Sequence, residues 1–304
     1  MARGYPVLWY TPKIRGRTKV SRIFTVFVFA VISVLCVMAH GEACTLWASA
    51  GDVVAGGGVI IAKNRDNSSS LHSKIGLVFP EKGYRFLGIL DTEANGYVVA
   101  AVNEKGLVVV NASANSVRRS KRHVATEDVT QRVLEKFDSV DSLAREKGFF
   151  RKTHPAIYLI ADSSKIMSVE VAPGGNTAIK VKDNGSVAFT NHYTAENLSH
   201  SNERVSRESL MRLKRINQLI GGLERAHTLD DFISISRDRN SGGPGAVMRD
   251  PRQGSVIRTL ATFVIRLEHG SAPTVYTQIF NEGTAPETFA AKLDRNFWDP
   301  ENKQ

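Results

Sequence analysis

The sequence predicts an α+β sandwich, in which sheets pack face to face and helices cover their outer faces. Three observations carry this. Short β-branched and apolar runs bounded by Gly, Asn and Asp crowd the chain after residue 44, helical periodicity is concentrated in the middle, and strand patterning returns at the end. Nowhere do strand and helix alternate as a parallel βαβ sheet requires.

The first strands are expected at Thr45–Ala50, 58–62, 75–79, 84–90, 96–102 and 107–112, close enough together to argue antiparallel meanders. Helical patterning follows at 129–137 and 140–147. Ala156–Ala161 and Ile166–Val171 read as a further strand pair. Asp183-Asn184-Gly185 is a turn signal between strands at 178–182 and 186–190. A helix over 204–220 stops at Gly221-Gly222, and another over 229–235 starts at a capping box made by Thr228 and Asp231. The polar Gly/Pro stretch 236–254 is a long loop of the kind that shapes binding sites. Strands at 256–267 and 274–280 close the pattern, which shows no repeat and no second domain boundary.

Composition narrows the function classes. The 304 residues are 42% hydrophobic and 23% charged with two cysteines, which excludes a disulfide-stapled mini-protein, a disordered chain and a paired-cysteine zinc knuckle. Residues 1–43 hold six bases and one acid, half of the net +10. Beyond them the one dense basic run is 118–122 (RRSKR), which by itself reads as a solvated loop, so no nucleic-acid partner is expected. The histidines are scattered without ligand spacing, so neither a metal nor another cofactor is expected.

The basic start is followed by seventeen uncharged residues at 23–39 and then by Gly41-x-Ala43, the pattern of a secretory signal cleaved after Ala43. The alternative is an uncleaved anchor at 23–39. Either way the rest of the chain is expected outside the cytoplasm, periplasmic or extracellular, as a single domain over 44–304 that touches a membrane only through its N-terminal segment during export. Cleavage discards Cys36 and makes Cys44 both the first residue and the only cysteine. A thiol and an α-amine then share one residue. Because the amine titrates near neutrality, it can take the thiol proton without a histidine.

From Cys44 onward the chain resembles the N-terminal-nucleophile (Ntn) hydrolases of the choloylglycine hydrolase and penicillin acyltransferase group, which cleave linear amides. The resemblance rests on Cys44-Thr45, then Lys63-Asn64-Arg65-Asp66, then 103–107 (NEKGL) leading to Asn111-Ala112-Ser113. It continues through 137–141 (FDSVD), 189–192 (FTNH), 201–207 (SNERVSR) and Arg258-Thr259-Leu260. It implies a four-layer αββα sandwich of two antiparallel sheets. It also implies Cys44 as nucleophile with its freed amine as base, Asp66 orienting both, and Asn191 donating to the oxyanion beside a backbone N–H near Ser113. Arg204 would complete the hydrogen-bonded cluster. Lys63 stands where bile-salt hydrolases carry arginine; it keeps the charge without the bidentate fork. Ser113 replaces an asparagine of many relatives.

Taken alone these motifs have plainer readings: a turn at 64–66, a hairpin turn at 103–106, a solvated helix face at Arg204 and Arg207, and a loop or core role for His192. Three functions stay open. They are an exported hydrolase of a small acyl amide working through an acyl-thioester, an acyltransferase on the same site, and a lipid-anchored binding protein held through Cys44. A homo-oligomer is compatible with each.

Overall fold

The computed structural model describes residues 43–299 apart from 95, 123–127, 147, 244 and 251–255. The basic start and the apolar run 23–39 lie outside the described residues. The compact unit that holds the fold runs from His40 to Gln304.

Thirteen described strands build two antiparallel sheets. In the first, β10 (Gly185–Phe189), β1 (Thr45–Ala50), β2 (Val59–Ser68), β11 (Ile257–Leu267), β12 (Thr274–Ile279) and β13 (Glu287–Lys292) lie side by side in that order. The second is a simple meander of β3 (Ser73–Val78), β4 (Phe86–Asp91), β5 (Val98–Asn103), β6 (Val108–Ser113), β7 (Ala156–Ala161), β8 (Ile166–Val171) and β9 (Thr177–Lys182). Alternation along the strands divides the apolar residues into three cores. Leu46, Ile61 and Phe263 meet Ile89, Val110 and Leu159 between the sheets. Phe86, Val109 and Val169 face the other way, onto α1 (Val129–Lys136) and α2 (Val140–Ala144). Trp47, Ile60 and Val264 pack on Ile216 of α3 (Arg207–Gly221) and Phe232 of α4 (Leu229–Ser236). The fold is therefore the four-layer αββα sandwich, with α5 (Arg295–Trp298) closing one end through Trp298.

The caps read from sequence are present. Thr228 accepts from Asp231 N while Asp231 accepts from Thr228 N, and α3 ends at Gly221 with Gly222 as its cap. The structure departs from the sequence reading in three places. Residues 64–66 form no turn; with Lys63 they continue β2, all four paired with β11 and Lys63 and Asn64 also with β1, because neighbouring strands consume their backbone groups. The turn at 183–185 makes no hairpin: β9 belongs to the meander and β10 to the other sheet, so Gly185 (φ 88°) carries the chain across the sandwich. Strand β13 carries no strong strand signal in the sequence, because only Phe289 and Ala291 of its six residues pack against the core.

Gly58 opens β2 at φ 82°, and a Cβ there would lie 2.2 Å from the Leu267 carbonyl oxygen, whereas Gly57 at φ 75° has open space around it. Gly57→Ala should therefore cost only the left-handed backbone penalty, about 1–2 kcal/mol. Gly58→Ala should melt well below it, a difference read directly by thermal denaturation of the two variants.

Candidate active site

The expected site residues converge where β1, β2, β10 and β11 end together, against the end of β6. Cys44 immediately precedes β1 and is only 2% exposed, its side chain on the inter-sheet face with Leu46 and Ala48. The antiparallel pairing of β1 with β2 extends two residues past the start of β1: Ala43 N donates to the Asp66 carbonyl oxygen (2.9 Å). Asp66 is thus placed opposite the Ala43–Cys44 peptide bond.

Period-two alternation sends the four residues of the 63–66 motif to different tasks. Lys63 points between the sheets and is buried, its Nζ donating to Val99 O (2.9 Å) and Asn111 Oδ1 (3.0 Å). There β5 and β6 have stopped pairing, since their ladder covers only Ala100–Val102 against Val108–Val110. Asn111 Nδ2 in turn donates to Val98 O (3.1 Å) and Thr130 Oγ1 (2.8 Å), so ammonium and amide together bridge the gap. Asn64 points the opposite way, donating to Ser236 O and Val247 O and accepting from Thr262 Oγ1. Arg65 forms a buried ion pair with Asp91 and also donates to Ser73 Oγ.

Asp66 faces α3. Its Oδ1 accepts from Thr259 Oγ1 (2.7 Å), at the bulge of β11, while its fully buried Oδ2 has no hydrogen-bond partner. Burial pushes its carboxyl up to about 6, opposed by the nearby charges of Arg212, Arg249 and Lys63 and by the Thr259 hydrogen bond.

The group that ties the site together is Arg212. Its Nη1 donates to Cys44 O (2.7 Å) and Thr45 Oγ1 (2.9 Å), its Nη2 donates to Asn191 Oδ1 (2.9 Å), and Asp66 Oδ2 lies 3.9 Å away. Gripping Oδ1 fixes which way the Asn191 amide faces, and Nδ2 donates to Ser113 O (3.0 Å). The backbone N–H of Asn191 donates to Ser209 Oγ (3.1 Å), one turn before Arg212 on the same helix. His192 is buried with Nδ1 against Ser209 Oγ (2.8 Å), and burial together with Arg212 holds its pKa below the usual imidazole value. It is the core histidine the sequence suggested.

Cys44, Asp66, Asn191 and Ser113 are therefore brought together, and Lys63 lies nearby as an inter-sheet ammonium. Arg204 is not in the cluster. Its backbone N donates to Ser116 O (3.0 Å) and its side chain is exposed, because it precedes α3, whose first residue is Arg207. The place expected for it belongs to Arg212. A signal for Arg212 was present in the sequence: it stands on the buried stripe Ser209, Arg212, Ile216, Ile220, where an arginine needs a partner.

The family model for acyl-coenzyme A:6-aminopenicillanic acid acyl-transferase matches residues 53–278. None of the curated proteins matches the chain. Among solved structures, a variant of conjugated bile acid hydrolase from Clostridium perfringens is similar over 84% of this chain and 94% of its own, with TM-score 0.56 and 15% identity. A second mutant of that enzyme gives TM-score 0.53 at the same identity and coverage. Penicillin V acylase from Agrobacterium tumefaciens gives 0.51 at 14% identity, over 85% of this chain and 89% of its own. At these identities the likeness is one of fold.

Lys63→Met would leave Val99 O and Asn111 Oδ1 each short of a buried donor, at about 1–3 kcal/mol for each orphaned group. Chemical denaturation of Lys63→Met, Asn111→Leu and the double variant should show the double variant losing clearly less than the sum of the two single losses.

Proposed function

This chain belongs to the acyl-coenzyme A:6-aminopenicillanic acid acyl-transferase family, and from that premise we propose that it is an exported cysteine Ntn hydrolase of a small acyl amide, active once Ala43 has been removed. One observation carries this reading furthest. The backbone of Asp66 pairs with Ala43 N, its Oδ2 is buried without a hydrogen-bond partner, and an ammonium freed at Cys44 would supply the donor and charge that this oxygen lacks.

In this scheme the Cys44 α-amine accepts the Sγ proton as Sγ attacks the amide carbonyl. Charge gathers on the carbonyl oxygen, which meets the second hydrogen of Asn191 Nδ2 and a backbone N–H near Ser113. The C–N bond then breaks, the ammonium passes its proton to the leaving amine, and an acyl-thioester stays on Cys44. Water, deprotonated by the same amine, releases the carboxylic acid and restores the thiol. Asp66 and Arg212 act on the nucleophile's own backbone and on Asn191, so they hold geometry in place of moving protons. Lys63 lends positive charge from the inter-sheet side. An amine acceptor replacing water in the second half gives acyl transfer on the same residues, the reading that the family's description favours. A lipid-bearing Cys44 fits poorly, because its side chain is packed in the inter-sheet core.

N-terminal sequencing of the exported protein should begin at Cys44. Cys44→Ala should abolish amide cleavage with the fold intact. Asn191→Ala should lower kcat by roughly 10²- to 10³-fold with a smaller effect on KM, and should leave alkylation of Cys44 by a small reagent nearly unchanged.

Processing should also change the pH dependence of stability. With Ala43 attached, the folded state holds the Asp66 proton up to about pH 6, while the unfolded chain releases it near the ordinary carboxylate value. Stability of the unprocessed chain should therefore fall as pH rises through that window. The freed ammonium brings the Asp66 pKa down and removes the fall. Denaturation of unprocessed Cys44→Ala, unprocessed Asp66→Asn and processed protein across pH 4–7 should show the loss in the first alone.

A further inference from the structure

Of the short segments that the sequence singles out, Arg258-Thr259-Leu260 has no part in the scheme above, yet the fold brings it against Asp66. On the helix face of β2, Asn64 and Asp66 stand two residues apart, and the hydroxyls that meet them belong to Thr262 and Thr259, three apart on β11. A regular strand would send those two threonines to opposite faces. The register shift between Thr259 and Ala261 takes up the extra residue, so both face the same way. The bulge thus aims a hydroxyl at the Asp66 carboxyl group.

The backbone of Arg249 fixes that hydroxyl. Arg249 N donates to Thr259 Oγ1 (2.8 Å), and Thr259 N donates back to Arg249 O (2.9 Å). An ionised carboxylate only accepts, so the one hydroxyl proton of the buried Thr259 goes to Asp66 Oδ1 (2.7 Å). Arg249 is itself anchored. Its Nη2 donates to Glu208 Oε2 (2.7 Å) in the first turn of α3, Met248 N donates to Asp238 O (2.8 Å), and Val247 O accepts from Asn64 Nδ2 (2.9 Å). The end of the long polar loop is therefore fastened to β2, β11 and α3 around Asp66.

The charges that act on the Asp66 carboxyl come from Arg212 on α3, Arg249 on the loop and Lys63 on its own strand. Glu208 pairs with Arg249, and His192 is near enough to Arg212 to feel its charge. Thr259 adds a neutral donor on Oδ1. Resting on the amide-hydrolase reading, we infer that Thr259 is a positioning residue: its hydroxyl, backed by the main chain of Arg249, keeps Asp66 ionised and its Oδ2 free for the Cys44 amine. The loop end at 247–249 thereby sets the lower pH limit of the reaction. A donor removed from a carboxylate tightens its hold on a proton. Where carboxylate, amine and thiol titrate together, the whole group then keeps its protons to higher pH.

The first measurement needs no substrate. In unprocessed Cys44→Ala protein, the infrared carbonyl band of the protonated carboxyl, identified by its loss in Asp66→Asn, should titrate with a midpoint of about 6. Thr259→Val should raise that midpoint by about one unit, and Thr259→Ser should restore it. Thr262→Val, which loses the matching hydrogen bond to Asn64, should leave it in place. The second measurement follows kcat/KM of processed enzyme against pH with a panel of acyl p-nitroanilides and N-acyl amino acids. Thr259→Val should move the acid limb up, losing about tenfold on the limb and less than about threefold on the plateau, and Thr259→Ser should bring it back. An unmoved midpoint, or a loss equal at every pH and not recovered by serine, overturns the inference while leaving the hydrolase reading intact. If processed wild-type protein cleaves none of the panel, the hydrolase reading falls, and the infrared midpoint decides the role of Thr259 by itself. Thr259→Ala, read in the same way, takes the place of Thr259→Val if the latter does not fold.

Discussion

The guanidinium of Arg212 is the interaction on which the site depends. A buried arginine is costly unless it is partnered, and here both terminal nitrogens donate, to Cys44 O, Thr45 Oγ1 and Asn191 Oδ1, with the Asp66 carboxylate alongside, while Nε is buried without a hydrogen bond. Burial and the neighbouring Arg249 work against its charge, while Asp66 and Cys44 favour it. One side chain on a helix therefore sets the position of the strand end bearing Cys44 and the orientation of the Asn191 amide. Ser209, one turn earlier, holds the Asn191 backbone, so α3 positions both residues.

The two faces of β2 divide the remaining labour. On the inter-sheet face Lys63 closes the gap between β5 and β6 and Arg65 pairs with Asp91, which joins the two sheets by charged groups. On the helix face Asn64 secures the end of α4, and Asp66 is left with one oxygen satisfied and one waiting. Four consecutive polar residues buried in the middle of a sheet would weaken a fold if they lacked partners; here each has a separate set, and the one unmet acceptor among them, Asp66 Oδ2, belongs to the residue whose backbone pairs with Ala43.

The cluster around Arg212 is buried, whereas the loop after β6 and the approach to α3 carry exposed cations tied to it through Ser116.

The sequence by itself determined the class of fold, most strand and helix positions and the caps at Thr228 and Gly222, because these follow from local periodicity, and its ordered short motifs singled out Cys44, Asp66, Asn191 and Ser113, which the fold brings together. Only the tertiary structure decided that 63–66 is strand interior, that β9 and β10 belong to different sheets, and that Arg212 holds the place expected of Arg204. The physical reason is the same in each case. A turn-forming tetrad, a Gly turn and an arginine on a helix all read locally as solvent-facing features. What reverses them is a neighbour far along the chain: β11 beside β2, the second sheet beneath β9, and the start of β1 beneath α3.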